Sequence, residues 1–188
     1  MTTAPEDRAL PADPARANDY DSFAEAYTAE NETSIWNAYY ERPAMLPLGD
    51  GEFDDVVASL VLHYIKDWAP TLAELRRVLK PGGRLIASVD HPYAIHAMQS
   101  KAKAPGDRPD YFAIYQWTED WAMGERTVPM RFWHRPLHAS TAAFTAAGFR
   151  IASINEPRPV PAARELFPKE FRFLMTSPTF VLFVLEAG

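Results

Sequence analysis

The chain has 188 residues, of which 47% are hydrophobic and 23% are charged, so it reads as one globular domain and not as a disordered or fibrous protein. Its formal net charge of -6 at pH 7 offers no positive surface for phosphates, which excludes nucleic acid as an expected partner. It contains no cysteine, which excludes disulfides, thiolate metal sites and cysteine nucleophiles.

The beginning of the chain is rich in alanine, proline and acidic residues, and it contains no apolar run that could form a signal peptide or a membrane span. Together with the lack of cysteine, this favours a cytoplasmic protein without a membrane partner. Three prolines stand among small and charged residues before residue 15. We therefore expect residues 1–18 to be a flexible tail and residues 19–188 to form a single domain.

Aromatic and apolar residues then recur at near-helical spacing, with Tyr20 and Tyr27 among them. This spacing predicts one or two helices that reach about Glu41. Pro43 ends the regular structure, and a turn is predicted at residues 49–51.

A strand, a helix and a second strand are predicted in the middle of the chain. Residues 55–62 (DVVASLVL) are apolar almost throughout, as is typical of a strand covered on both faces in a parallel sheet. Asp67 is expected to cap the following helix, and the Pro-Gly-Gly sequence at residues 81–83 to end it. Residues 84–89 then form a second buried strand, which gives a right-handed parallel crossover.

The remaining segments are less regular. Residues 111–133 concentrate aromatic side chains beyond what an ordinary connection needs. Ser140 is expected to cap a short helix that ends at Gly148, where glycine permits a left-handed turn. Residues 149–154 and 179–185 are predicted strands, and the latter is expected to run antiparallel to its neighbours.

Three parts of the chain carry a family resemblance. The most specific is the run from Gly51 to Pro92, GEFDDVVASLVLHYIKDWAPTLAELRRVLKPGGRLIASVDHP. The others are YD and AY at residues 20–27, and HRPL with AGF at residues 134–149. Together they resemble the small-molecule branch of the class I S-adenosylmethionine-dependent methyltransferases. The resemblance implies an α/β fold, namely an incomplete Rossmann-like methyltransferase fold with a mostly parallel sheet and an antiparallel C-terminal strand.

The resemblance also implies S-adenosylmethionine as the cofactor and methyl transfer to a small metabolite as the activity. In that family a glycine-rich turn holds the cofactor, but Gly49 and Gly51 lack the preceding strand and following helix of such a turn. About 60 residues, at roughly 30 per strand-helix unit, have no counterpart before Gly51, so the chain looks internally deleted after Met45. The alternative function is therefore a noncatalytic remnant that binds a ligand or a partner protein.

By resemblance, the cofactor would lie near the end of the strand at residues 55–62. This implies cofactor-binding roles for Leu60, Val61 and His63, and for Tyr20 and Tyr27 in the leading segment. A structural role stays open for these residues. A histidine can simply end a strand, and tyrosines at helical spacing often only contribute to packing.

Asp90 and His91 follow the next strand at the same edge, where they could deprotonate an acceptor or simply end the strand. Trp117, Trp121, Trp133 and His134 are expected to line a pocket for a small-molecule acceptor, or else to form the core of a lid. No metal site is expected. His134 and His138 have the spacing of two ligands on one helical turn, but Pro136 lies between them and no third ligand is evident.

The strand at residues 55–62 would lie beside the missing first strand, which leaves a hydrophobic edge that soluble monomers normally avoid. We expect a homodimer through this edge, or a cover supplied by residues 19–48. A monodisperse monomer whose strand exchanges its amide hydrogens freely would contradict both.

Overall fold

The computed structural model of this chain describes residues 54–101, 103–123 and 126–188. The expected tail, the leading helices and the residues Tyr20 and Tyr27 lie outside the described residues. No helix in the described part is long and apolar enough to cross a membrane. The elements are, in order, β1 (Asp55–Ser59), α1 (Trp68–Val78), β2 (Arg84–Asp90), α2 (Pro92–Ser100), β3 (Tyr115–Met123), β4 (Arg126–His134), α3 (Leu137–Ala146), β5 (Phe149–Asn155), α4 (Ala163–Leu166), α5 (Pro168–Leu174) and β6 (Phe180–Ala187).

Among the described residues, four strands form the main sheet in the order β1-β2-β6-β5. β1 pairs with β2 in parallel, while β6 runs antiparallel to both β2 and β5. Strands β1, β2 and β5 therefore point in one direction and β6 in the other. The expected incomplete Rossmann-like α/β fold, with a mostly parallel sheet and an antiparallel C-terminal strand, is confirmed.

Strand β1 ends at Ser59, earlier than the predicted residue 62, because the backbone of Leu60 turns out of the sheet at φ +48°. The Leu60 N–H donates to both the carbonyl and the hydroxyl oxygen of Ser88, at 3.1 and 3.0 Å. A left-handed conformation costs a non-glycine residue about 1–2 kcal/mol, and these bonds hold it in place. The chain then continues into a short 3₁₀ helix at Leu62–Tyr64.

The predicted crossover from β1 to β2 is confirmed. Asp67 caps α1, because its side chain accepts a hydrogen bond from the Ala69 N–H at 3.0 Å. The turn after α1 contains Gly82 at φ +78°, a conformation that favours glycine. Both boundaries follow from local signals in the sequence.

The main core lies between one face of the sheet and helices α1 and α3. Leu72 of α1, Phe144 of α3 and Phe183 of β6 are each fully buried there. The rings of Phe144 and Phe183 lie 5.0 Å apart between centroids. Burial of these side chains, at roughly 25 cal/mol per Å² of apolar surface, attaches both helices to the sheet.

The aromatic segment forms an antiparallel hairpin of β3 and β4, which was not predicted as strands. Trp117, Met130 and Phe132 of the hairpin pack with Ile95 of α2 in a second buried cluster. Helix α2 was also not predicted. Its start is marked by a proline at the first turn, directly after a histidine cap.

Helix α3 corrects the expectation for Ser140. The helix begins at Leu137, directly after Pro136, and Ser140 lies inside it. The Ser140 hydroxyl donates to the Pro136 carbonyl at 3.3 Å and caps no N–H group. The expected left-handed turn at Gly148 is confirmed by its φ of +86°.

Candidate acceptor site

A cavity of about 1460 Å³ lies at the C-terminal ends of β1 and β2. Open α/β sheets bind their ligands at this edge. Helix α2, the β3–β4 hairpin and the segment before β6 supply further walls. The described lining is mainly apolar and aromatic, and includes Leu60, Val61, Tyr64, Trp117, Trp121, Phe132 and Phe173.

The structure brings six of the sequence-predicted residues to this cavity, namely Leu60, Val61, His63, Asp90, Trp117 and Trp121. The first three follow β1, Asp90 ends β2 and the two tryptophans lie on the hairpin. Parallel strands ending at one sheet edge explain why residues distant in sequence meet here. Their roles in binding stay predictions.

His63 and Asp90 form a buried pair in the cavity wall. Nδ1 of His63 lies 3.2 Å from Oδ2 of Asp90 and 3.3 Å from the Asp90 backbone nitrogen. Burial lowers the pKa of His63, although the Asp90 carboxylate and the Leu60 backbone act to raise it. Burial likewise raises the pKa of Asp90, against the opposing effect of His63. Both side chains thus favour their neutral forms.

His91 has a different environment from Asp90 and is not among the cavity-lining residues. Its Nδ1 accepts a hydrogen bond from the Tyr93 N–H at 3.2 Å, which caps α2. We assign the ring proton to Nε2, which lies 2.9 Å from Oε1 of Glu156. Because both ring nitrogens have partners, the position of His91 favours the structural interpretation over the expected role as a base.

Trp133 and His134 are also absent from the described cavity lining. His134 is buried and stacks on Tyr115, with ring centroids 4.5 Å apart. Trp133 alternates with the cavity-lining Phe132 along β4, so it faces the other side of the hairpin. There the Lys66 ammonium lies 5.2 Å from the centre of its ring.

Several lining residues were not identified from the sequence. They come mainly from α2 and the hairpin, and include Tyr93, Met98 and Phe132. The available signal was the alternation of aromatic and polar residues from Tyr115 to Trp121, which is typical of a strand with one buried face.

Acid is expected to destabilise the fold. Burial lowers the pKa of His63, His91 and His134 below the ordinary value of 6.5. Between pH 6.5 and the lower folded-state pKa values, the unfolded chain binds protons more readily than the folded chain does. The stability that these histidines contribute above pH 6.5 is therefore lost as the pH falls through this range. Asp90 acts in the opposite sense, because its raised pKa makes the folded state lose stability as the pH rises through that value.

Thermal unfolding measured at pH 7.5, 6.5 and 5.5 checks this balance. We expect the midpoint to fall at each step, since three histidines outweigh one carboxyl group. A midpoint that is constant or rises toward pH 5.5 would contradict the prediction.

Comparison with known proteins finds methyltransferases. A family model described as a methyltransferase domain matches residues 17–87. A structure from Listeria monocytogenes, described as an S-adenosylmethionine-dependent methyltransferase, shares 25% sequence identity and a TM-score of 0.56, covering 73% of this chain and 64% of that chain. The expected resemblance to the class I S-adenosylmethionine-dependent methyltransferases is confirmed. A methyltransferase structure from Mesorhizobium loti has the same fold, with a TM-score of 0.53 and 24% identity, covering 72% of this chain and 62% of that chain.

The alignments cover less than half of the curated methyltransferases that this chain matches. The demethylmenaquinone methyltransferase of Mycolicibacterium gilvum is 31% identical over 98 residues, which cover 43% of this chain and 43% of that protein. The chain therefore spans less than half the length of this relative. The alignment has 98 positions, which is more than 43% of the 188 residues of this chain. Some residues of the relative are therefore aligned with gaps in this chain.

The residues around Gly49 and Gly51 do not fit the glycine turn that holds S-adenosylmethionine in the family that this chain resembles. They are the only glycines before β1 in the sequence, and the chain enters β1 at Asp55 instead of a helix. A cofactor-holding glycine turn needs a strand before it and a helix after it, whose first N–H groups face the ligand. Among the described strands, β1 is also at the sheet edge, with none on its outer side. The described part thus forms a cavity at the ligand-binding edge of the sheet, but it contains no glycine turn between a strand and a helix.

Proposed function

We propose that this chain binds a small, largely apolar molecule and does not transfer a methyl group unaided. The observation that carries the proposal is the aromatic cavity of about 1460 Å³ at the ligand-binding edge of the sheet. Small-molecule pockets of about 300–1,000 Å³ are common, so this one has room for a multi-ring compound.

Gly49 and Gly51 lack the context of a glycine turn that holds the methyl donor, and for this reason we treat ligand binding and methyl transfer as separate properties. Methyl transfer is an in-line displacement from a sulfonium, and it requires donor and acceptor to be held in near-attack geometry. The described residues contain no glycine turn between a strand and a helix that could hold the donor, whereas they form a cavity at the ligand-binding edge of the sheet. Methyl transfer from S-adenosylmethionine to a small metabolite is the second candidate, favoured by the match to the methyltransferase domain model and by the buried His63–Asp90 pair.

The acceptor class is proposed only coarsely. The curated relatives are named for demethylmenaquinone, which describes those proteins. We extend to this chain the broader class of small, largely apolar molecules, because that class agrees with the described lining.

Calorimetry on the full chain tests the proposal with two kinds of ligand. S-adenosylmethionine and its demethylated product are expected to give no saturable heat up to about 1 mM, a concentration that would reveal a binding free energy near -4 kcal/mol. 2-Naphthol, a small aromatic probe, is expected to bind saturably. Micromolar donor binding, or incorporation of labelled methyl into an added acceptor, would overturn the noncatalytic assignment.

Two tryptophans of the hairpin provide a matched pair of variants. Trp121 lines the cavity, whereas Trp133 lies on the other face of the hairpin. Trp121→Ala is expected to weaken 2-naphthol binding about two- to tenfold, from the loss of an aromatic contact. Trp133→Ala is expected to leave binding within error. Equal losses in both variants, or no loss in either, would place the ligand elsewhere.

A further inference from the structure

We propose that the outer edge of β1 is a dimerisation surface, on which β1 of a second copy of this chain pairs antiparallel about a two-fold axis at Val57. The homodimer expected from the sequence thereby gains a defined register. This inference goes beyond the proposed function and does not depend on it, because antiparallel pairing leaves the cavities of the two copies at opposite ends of the β1 pair.

The main chain of β1 directs hydrogen-bonding groups to its outer side. Strand β1 pairs with β2 without interruption over its whole length. At the start of this ladder the Arg84 N–H donates to the Asp54 carbonyl at 2.9 Å. At its end the Leu60 N–H donates to the Ser88 carbonyl at 3.1 Å. Alternate residues of a parallel strand bond to the same neighbour, so the even-numbered residues of β1 bond to β2. The N–H and C=O groups of Val57, at an odd-numbered position, therefore point away from β2.

The side chain at this position is also accessible. Val57 is 57% exposed, whereas Val56 and Ala58 on either side of it contact the main core. No described strand pairs with β1 on its outer side. An exposed β-branched residue, with main-chain groups that no described strand binds, is the arrangement to which another strand adds.

The two edge strands of the described sheet differ in how they are protected. Strand β5 carries Arg150, whose side chain is 68% exposed, and a bulge between Ile151 and Ser153. Exposed charges and bulges are the usual devices that prevent edge-to-edge pairing. Strand β1 has the sequence DVVAS and a regular register, and its one charged side chain, Asp55, is bound by Nε of Arg84 at 2.7 Å. Of the two edges, β1 is the one that permits pairing.

A second copy of the chain matches this edge by symmetry. With residue 57 opposite residue 57, Val57 can exchange two hydrogen bonds with Val57 of the second copy. Asp55 then lies opposite Ser59 of the second copy, so the two acidic side chains do not face each other. They are about 14 Å apart along the strand, at roughly 3.4 Å per residue, which exceeds the screening length of about 8 Å at physiological salt. The same edge on both partners gives a closed dimer and not a filament.

Sedimentation of the full wild-type chain over a range of concentrations is the first test. A single strand pair is a small contact, so the dimer is expected to dissociate on dilution. Between about 1 and 200 μM we expect the mass to rise from that of one chain toward twice that value. A constant single-chain mass would overturn the proposal. If the Val57 amide were protected from hydrogen exchange in such a monomer, the edge would be covered within the chain.

Charged variants test the register. Val57→Lys and Val57→Glu each place like charges opposite one another across the axis, so each variant alone is expected to dimerise about three- to tenfold more weakly than wild type. An equal mixture of the two is expected to recover dimerisation, because unlike charges then face each other. Ile154→Lys, at a 44% exposed position on β5, is the control and should dimerise like wild type. A wild-type dimer in Val57→Lys, or no recovery in the mixture, would contradict the two-fold pairing at Val57.

The absence of cysteine from the sequence allows a cross-linking test. Residues in a hydrogen-bonded antiparallel pair have Cα atoms about 5.5 Å apart, within the range that a disulfide spans. Val57→Cys is therefore expected to form a covalent dimer with oxidised glutathione, whereas Ile154→Cys should remain a single chain. Equal cross-linking of both variants would mean random collision and overturn the assignment. The wild-type sedimentation series decides the question if a variant fails to fold.

Discussion

Replacing Phe183 with alanine is expected to lower the free energy of unfolding by about 3–5 kcal/mol, the largest effect of any single substitution considered for this chain. Phe183 is fully buried in β6 and packs against Phe144 of α3, with 5.0 Å between ring centroids. Its neighbours belong to the strands on both sides and to a helix, so the surrounding structure has little freedom to fill the space left by the ring.

Urea unfolding followed by circular dichroism measures this effect. Phe112→Ala is the matched control, because Phe112 is 72% exposed and its truncation leaves no cavity. We expect the control to stay within about 0.5 kcal/mol of wild type. A loss below about 1 kcal/mol for Phe183→Ala would show that this face of the sheet is not the main core.

Gly83→Ala is expected to cost about 1–3 kcal/mol, because a methyl group at this position meets backbone atoms that cannot easily move. An added Cβ would lie 2.6 Å from the Asp54 carbonyl oxygen and 2.9 Å from that of Lys80. The Lys80 carbonyl belongs to the turn that joins α1 to β2, and the Asp54 carbonyl directly precedes β1. The Asp54 carbonyl also accepts the Arg84 N–H at 2.9 Å, so relief of the contact would disturb the start of the β1–β2 pair.

Gly106 supplies the control for this substitution. It lies in a short 3₁₀ helix, with no atom within 4 Å of an added Cβ. Gly106→Ala should leave the thermal midpoint unchanged, while Gly83→Ala should lower it by several degrees, since about 1 kcal/mol corresponds to roughly 2–4 °C in a chain of this size. Equal midpoints for the two variants would mean that the turn adapts without cost.

The sequence predicts the β1-α1-β2 unit well because its signals are local. Apolar runs define the strands, Asp67 caps the helix, and Gly82 supplies the conformation that the turn requires. Each signal acts within a few residues of the structure it controls.

The order of the strands is not local, and the sequence does not reveal it. Nothing in residues 179–185 indicates that β6 is inserted between β2 and β5. The hairpin was not predicted, although Tyr115, Trp117 and Trp121 share the alternation that is typical of a strand with one buried face. Ser140 shows a third limit, because Pro136 had already set the start of α3.

The candidate site was predictable in position but not residue by residue. Strand ends pointed to Leu60, Val61, His63 and Asp90. Adjacent residues, however, differ in which way they face, so Asp90 reaches the cavity while His91 caps a helix. Only the three-dimensional register of the strands distinguishes such neighbours.

The central position of β6 has a consequence for how the polypeptide is made. In the main sheet Leu85 pairs with Leu185, and β5 reaches the sheet only through β6. On the ribosome, β2 and β5 therefore emerge with one edge each unsatisfied until β6 has been translated. Completion of the main sheet therefore depends on pairing between strands that are about 100 residues apart, since Leu85 pairs with Leu185, and such distant pairing slows folding.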